Sequence, residues 1–421
     1  MLILLNGYPA VAVPGQLDTS FGGDGKVTTD FTSGRDIAYG AATQADGKIV
    51  VAGTANYRGA DAKFALARYN TNGTLDRAFG GDGKVTTNLT RAWDGAFDLT
   101  IQPDGKIVLA GVAAGIGPTQ ATNDKFALAR YNQNGSLDTT FGGDGTVITN
   151  VTRGEDFLFG VAIQEVDGKV VVAGRAGGSG GRIALARYLP GGSLDLTFGG
   201  DGKVTTDLTR FDDRADEVAI QADGKIVVAG TANYFSSRAR FVTIRYNASG
   251  SRDGTFSADG IATINLTASF DGAFGLAVQS SDAKIVVVGQ AGGGDQGRFG
   301  IVRHNTNGSL DRSFSEDGKA ITNFTPGLDY ADDVAVQSDG RIVAAGAIRY
   351  FGPDTRFAVA RFDANGTLDT TFGGDGRVTT DLNGVRGGAF DVTIQPVDGK
   401  IVAAGAAGGL GGRFGVVRYL S

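Results

Sequence analysis

The sequence predicts an all-β fold: a seven-bladed β-propeller with four antiparallel strands per blade, its ring closed by the N-terminal strand. Three observations carry that expectation. The phrase Leu17-Asp18-Thr19-Ser20-Phe21-Gly22-Gly23-Asp24-Gly25-Lys26-Val27 recurs along the chain. Its aspartate returns as Asp76, Asp138, Asp195, Asp253, Asp311 and Asp369, in steps of 58, 62, 57, 58, 58 and 58 residues. A period this regular means one supersecondary unit used seven times. Each copy also divides into four short apolar runs, and the two chain ends hold complementary parts of one copy.

The stretch from Trp93 to Asn150 shows the elements in order. Ala96 to Gln102 is the first run, and Pro103-Asp104-Gly105 turns the chain, since Asp-Gly supplies the positive φ angles of a tight hairpin. Lys106 to Gly111 is the second run, and a loop of variable length leads to the third, Phe126 to Tyr131. Asn134-Gly135 turns again, the Leu137-Asp138…Phe141 phrase follows, and Gly145 to Thr149 is the fourth run. β-Branched residues dominate the second and fourth runs, and none is long enough for a typical helix. These are strands. The copies are slightly longer than the ~40–50 residues of familiar propeller blades and far longer than a β-helix coil.

Lys26 to Phe31 is a fourth-type strand with no first three before it, and Phe414 to Tyr419 is a third-type strand with no fourth after it. Joining them completes the seventh sheet, which ring closure requires and an open solenoid does not. Radial repetition also leaves only short sheet edges. Residues 17–421 therefore read as one propeller domain, preceded by a separate N-terminal segment, 1–16.

Glycine is abundant, 69 of 421 residues, but without a Gly-X-Y period it signals tight turns rather than collagen. The net charge of -6 argues against a nucleic-acid partner, because phosphate binding needs a basic face. No stretch approaches the apolar length of a membrane span. The absence of cysteine excludes disulfides, zinc–thiolate sites and cysteine nucleophiles. Leu2-Ile3-Leu4-Leu5 precedes Ala10-Val11-Ala12, a small-x-small pattern like a signal-peptidase site. It reads either as a trimmed export signal or as a start that packs on the first blade. Export is favoured, which would make the protein secreted or cell-surface. A monomer is expected.

Three motifs together carry a resemblance: Leu75 to Val85, Gln102 to Gly111 and Phe126 to Tyr131. The chain resembles the bacterial delta-60 repeat family over nearly everything from Leu17 onward. It departs at Arg252, which replaces the leucine, at Ser257 and Ser315, which replace the first glycine, and at Ala283, which replaces a turn glycine. The resemblance implies a propeller-like bacterial surface protein and brings no catalytic residues with it.

Comparing the copies separates scaffold from speciality. A sevenfold arginine (Arg68, Arg130, Arg187, Arg245, Arg303, Arg361, Arg418) and the sevenfold aspartate of the phrase are expected to pair, because an active site is used once and need not be copied. Asp24 and its equivalents sit in x-x-Asp-Gly turns, where a local turn bond explains them better than calcium, which wants six to eight oxygens. Gly177-Gly178-Ser179-Gly180-Gly181 has no helix after it to make a phosphate site. The one histidine, His304, stands where other copies carry Tyr69 or Tyr131, and so reads as a packing substitution. Lys63, Lys125, Arg182, Arg240, Arg298, Arg356 and Arg413 are expected to pair with the entry-loop Asp36, Asp94, Asp156, Asp213, Asp271 and Asp329.

The copies differ on one face. Asp98, Glu217, Asp333 and Asp391 share a position near the start of the first strand where other copies have Gly40, Gly160 and Gly275. Asp216 and Asp332 precede two of them, where the remaining copies carry aromatics. Ring closure should converge these acids on the channel mouth. The loops on that face add Tyr57, Tyr234-Phe235, Tyr350-Phe351, Trp93, Phe211 and Phe270, which suit sugar stacking or simple loop packing. The acids could hold a cation, with calcium the simplest candidate, pair with arginines such as Arg91, Arg210, Arg214 and Arg349, or serve as the acid and base of a glycosidase. A non-catalytic binding or scaffold protein recognising a glycan or a protein surface is the favoured expectation. A carbohydrate-active hydrolase or lyase at the acidic mouth is the alternative.

Overall fold

A computed structural model describes residues 13–115, 124–350, 352–382, 384, 386–408 and 412–421. Its strands form seven four-stranded antiparallel sheets, each built from four strands consecutive in the chain except the last. The inner strands are Ile37–Thr43, Trp93–Ile101, Asp156–Gln164, Arg214–Ile220, Asp271–Val278, Tyr330–Val336 and Gly387–Ile394. Each packs against the inner strand of the next blade, and the last packs against the first, closing a seven-bladed β-propeller.

The seventh sheet is completed by the N-terminal strand Lys26–Thr29, which pairs antiparallel with Arg413–Tyr419 and sets Thr29 opposite Phe414. The strand stops two residues short of the expected Phe31 because the N–H groups of Phe31 and Thr32 donate to Asp36 Oδ2, at 2.7 and 3.0 Å, instead of to the ladder. The contacts of the seventh copy begin before Leu17: Gly373 N–H donates to Pro14 C=O at 3.0 Å, as Gly22 N–H donates to Asn72 C=O in the next copy.

The core lies between blades. Second strands such as Ile49–Ala55 are buried along their whole length, which is why they read as continuous apolar runs rather than alternating ones. Val343, Val359, Phe357, Val392 and Ile401, for example, join blades six and seven.

The sevenfold Arg–Asp pair forms as the repeat implies. Arg130 Nε lies 2.7 Å from Asp138 Oδ2, both side chains 5 % exposed. The guanidinium stacks 4.6 Å above Phe141, and Nη1 donates to Pro190 C=O of the next blade at 2.5 Å. One phrase thus supplies the carboxylate and the aromatic floor, and the arginine ties neighbouring blades together. Asp24 accepts from Lys26 N–H at 3.0 Å, an Asx turn on an exposed loop.

His304 is buried, its Nδ1 3.1 Å from Gly308 C=O and its Nε2 3.3 Å from Thr243 Oγ1. Burial pushes its pKa down to about 4, so the ring is neutral. In five other copies a tyrosine hydroxyl reaches a threonine on the outer strand of the previous blade, as Tyr69 reaches Thr29 at 2.7 Å, and the remaining copy carries Phe362. Ile264 removes that partner here, and Thr243, standing where copy one has Leu66, provides a nearer one.

One expected pairing is corrected. The entry-loop aspartates do not bind the sevenfold cations. Asp36 accepts from the N–H groups of Phe31, Thr32 and Asn56 and from the Thr32 hydroxyl, and is fully buried doing so. Arg182 and Arg413 instead make exposed pairs with Asp207 and Asp30, at 3.3 and 3.4 Å. A buried loop leaves N–H groups that must be satisfied, and one carboxylate accepts several at once.

Candidate functional site at the channel mouth

Every inner strand carries a β-bulge at the same place, between Ala38 and Gly40, Ala96 and Asp98, Leu158 and Gly160, Ala215 and Glu217, Ala273 and Gly275, Ala331 and Asp333, and Ala389 and Asp391. A regular strand sends successive side chains to opposite faces, and a bulge re-aims one of them. Two consecutive residues therefore line the channel: Phe97 and Asp98, Asp216 and Glu217, Asp332 and Asp333, Phe390 and Asp391. The cavity they line holds about 570 Å³. A sequence signal for the bulge exists, since core positions such as Ala96 and Leu99 lie three apart where an unbroken strand would place them two apart.

The upper tier comes from the bulged residues. Phe390, Tyr39, Phe97 and Phe159 form a continuous aromatic arc, with ring centroids 5.3, 5.1 and 5.7 Å apart in turn. Opposite lie the polar groups Arg214, Asp216, Tyr330 and Asp332, with Phe274 between the two acids and its ring 6.0 Å from that of Tyr330. Arg214 pairs with Asp216 through Nε at 2.8 Å and sits between the rings of Phe159 and Tyr234, 4.6 and 4.2 Å away.

The lower tier is the ring of acids. A Cβ on Gly275 would stand 2.6 Å from the Asp333 Cα, and one on Gly40 3.2 Å from the Asp98 Cα. The ring is too narrow for seven side chains, so glycines alternate with acids. Asp98, Asp333 and Asp391 each reach across to the next blade, accepting from the N–H groups of Val161, Val392 and Ala41 at 2.7, 3.0 and 2.7 Å. These N–H groups follow the bulge of the next blade. Glu217 accepts from Val218 N–H at 2.9 Å.

Protein surrounds these acids even though water reaches them through the channel. Burial pushes Asp98 up to about 7 and Asp333 to about 6, and Glu217 and Asp391 go well above the usual carboxylate range by burial and then by neighbouring like charges. Asp333 and Asp391, the one adjacent pair of acids in the ring, are hydrogen-bonded to each other, which requires a shared proton. Burial and the Asp216 charge also raise Asp332 well above the ordinary range.

Eight of the ten expected site residues line the cavity: Asp98, Asp216, Glu217, Asp332, Asp333, Asp391, Tyr234 and Tyr350. Two do not. Trp93 is 3 % exposed, with its indole N–H donated to Tyr57 C=O at 2.8 Å, and Tyr57 packs edge-on over it. Phe211 and Phe235 are exposed further out, Phe270 packs on Tyr234, and Phe351 lies outside the described residues. Of the four arginines suggested as partners, Arg214 alone pairs with a channel acid, and Arg349 turns to Asp354 at 3.5 Å. Among the described residues no three acids or histidines converge closely enough to hold a metal ion, so the calcium expectation gains no site from the geometry. Sequence reasoning missed Tyr39, Phe97, Phe159 and Phe390 as a binding surface, having treated them only as the background against which Asp216 and Asp332 stood out.

A family model described as "Domain of unknown function (DUF5122) beta-propeller" matches residues 44–79, 102–141, 167–198, 221–256, 280–314 and 337–372. The chain belongs to this family. Each of the six matches starts just after the end of an inner strand and ends on the phenylalanine of the recurring phrase, so this part of the DUF5122 repeat leaves out the bulges and the ring acids. No curated protein matches the chain. Among solved structures it is similar to a catalytically inactive virginiamycin B lyase from Staphylococcus aureus with quinupristin, at 12% identity and a TM-score of 0.53, over 94% of this chain and 99% of that one. It is also similar to the polysaccharide lyase Uly1 (13%, 0.50, 91% and 90%) and to a PL25 ulvan lyase (13%, 0.50, 92% and 95%). At such identity the likeness is one of fold.

Proposed function

We propose that this protein is a binding propeller that takes a glycan at the channel mouth and does not turn it over. The observation that carries the reading is the two-sided cavity, with aromatic planes along one arc and fixed polar groups on either side of Phe274 along the other. Sugars offer an apolar face for stacking and a hydroxyl edge for hydrogen bonds, and such a pocket answers both. Three ring acids already hold N–H groups of the next blade, a structural use that also speaks against a catalytic one. The N-terminal export pattern supports a place outside the bacterial cell, which fractionation of the expressing organism would check.

Calorimetric titration with a panel of oligosaccharides tests the binding. Phe97→Ala should weaken the best ligand by about tenfold while melting near the parent temperature. If no saccharide binds, or Phe97→Ala binds as well as the parent, the reading is wrong. A second reading, hydrolysis or elimination at the acids, draws on Asp98 and Asp333 lying near neutrality, where a carboxyl can give or take a proton. Product release from any polysaccharide, abolished by Asp333→Asn, would establish it in place of the first.

A further inference from the structure

Blades four and six are built alike at the mouth, and one difference between them carries information about the ligand. Arg214, Asp216 and Tyr234 of blade four occupy the repeat positions of Tyr330, Asp332 and Tyr350 of blade six. In blade four the carboxylate is neutralised from within, because Arg214 lies against Asp216 and is covered by the Tyr234 and Phe159 rings. In blade six tyrosine replaces that arginine. Asp332 is left with the Tyr330 hydroxyl on one side, and its buried Oδ2 has no hydrogen-bond partner. Tyr330 and Tyr350 pack edge-to-face beside it, with centroids 4.9 Å apart. Blade six therefore keeps the acid and the aromatic wall of a cation site and lacks a cation of its own, the Arg214 charge reaching Asp332 only from blade four.

We propose that this vacancy in the repeat is filled by the ligand, which carries an ammonium group that docks against Asp332 and the Tyr330–Tyr350 wall as Arg214 docks in blade four. This rests on the binding reading above and narrows it to an amino sugar with a free amine. The charge balance agrees: six carboxyl side chains line the cavity and Arg214 is the one basic side chain among its lining residues. Arg35 lies at the rim, over Tyr57 at 5.9 Å. Aromatic faces attract cations through the ring quadrupole, and a carboxylate oxygen lacking a partner adds a charge-assisted hydrogen bond. Once ionised, the same acids repel uronate and sulfated polysaccharides. Because the ammonium selects the ionised Asp332, whose proton burial holds on to, binding releases that proton and tightens as pH rises.

The test compares oligomers of glucosamine with their fully N-acetylated counterparts, and includes tetramethylammonium as a sugar-free cation. The free amine should bind at least about tenfold tighter than the acetylated form, and Asp332→Asn should lose about that factor. Tyr330→Arg, which rebuilds the blade-four arrangement, should abolish amine binding with the melting temperature kept. Equal binding of both oligomers, untouched by Asp332→Asn, would overturn the cation inference and leave glycan binding standing. Binding of tetramethylammonium alone, lost in Asp332→Asn, would support the cation site and overturn the glycan reading. If neither amine binds, the inference falls.

Discussion

At the scale of single residues, the repeated Arg–Asp pair shows how one side chain can serve packing and electrostatics at once. Burial alone would raise the aspartate pKa, yet hydrogen bonds from Ser20 and Lys400 and the Arg418 charge hold Asp18 down at about 2. The guanidinium is flanked by carboxylate, phenyl ring and a carbonyl of the next blade, so its donors are used and its flat face is covered. Arg130→Ala should therefore cost about 3 kcal/mol in a denaturant titration, because it strands a buried carboxylate and unties two blades. Arg182→Ala, which breaks only the exposed pair with Asp207, should stay within about 0.5 kcal/mol. Equal effects would mean that the buried pair adds no more than a surface one.

At the scale of the strand, the bulge and a glycine on its partner form one device. Gly53, Gly111, Gly174, Gly230, Gly289, Gly346 and Gly405 lie on the second strand of each blade, and a Cβ on any of them would collide with a carbonyl oxygen of the bulged inner strand. The repeated Ala-Gly or Val-Gly step on the second strand thus answers a backbone that bends toward it. The collision is with main chain, so no rotamer relieves it. Gly230→Ala should destabilise by about 1–3 kcal/mol and disturb Asp216 and Glu217, since they flank that bulge. Retained stability with an unchanged mouth would show that the bulge tolerates a methyl group and that the glycine has another origin.

At the scale of the whole molecule, two sets of carboxyls pull stability in opposite directions with pH. The ring acids, with Asp98 near 7 and Asp333 near 6 in the fold, keep protons that the unfolded chain would release above its ordinary value of 3.8. Their contribution is present below about 4 and is lost as pH rises through about 7. The paired aspartates, such as Asp18 and Asp195 at about 2, contribute above the ordinary carboxylate range and lose that stability as pH falls toward 2. The melting temperature should therefore peak near pH 4 and fall by several degrees toward pH 8. Asp391→Asn keeps an oxygen for the Ala41 N–H and removes one charge of the crowded pair, so it should raise the melting temperature at pH 8 and flatten the fall. A flat profile between pH 5 and 8 in the parent protein would contradict the shared proton.

Blade number, strand order, ring closure and the Arg–Asp staple were all legible in the sequence, because each is repeated seven times and repetition is visible without coordinates. Even the split seventh sheet follows from which run is missing at each end. The placement of Asp98, Glu217, Asp333 and Asp391 on one ring also followed from copy alignment. What they do there did not, since that depends on the next blade's N–H groups and on the width left by Gly40, Gly160 and Gly275. Lys63 and its equivalents looked like partners for the entry-loop acids for the same reason of matched copy number. A one-dimensional pattern records that two charges recur together and is silent on whether either meets a backbone amide first. The aromatic arc, the burial of Trp93 and the partnerless Oδ2 of Asp332 arise where seven separate strands converge, and convergence across the ring is what tertiary structure alone decides.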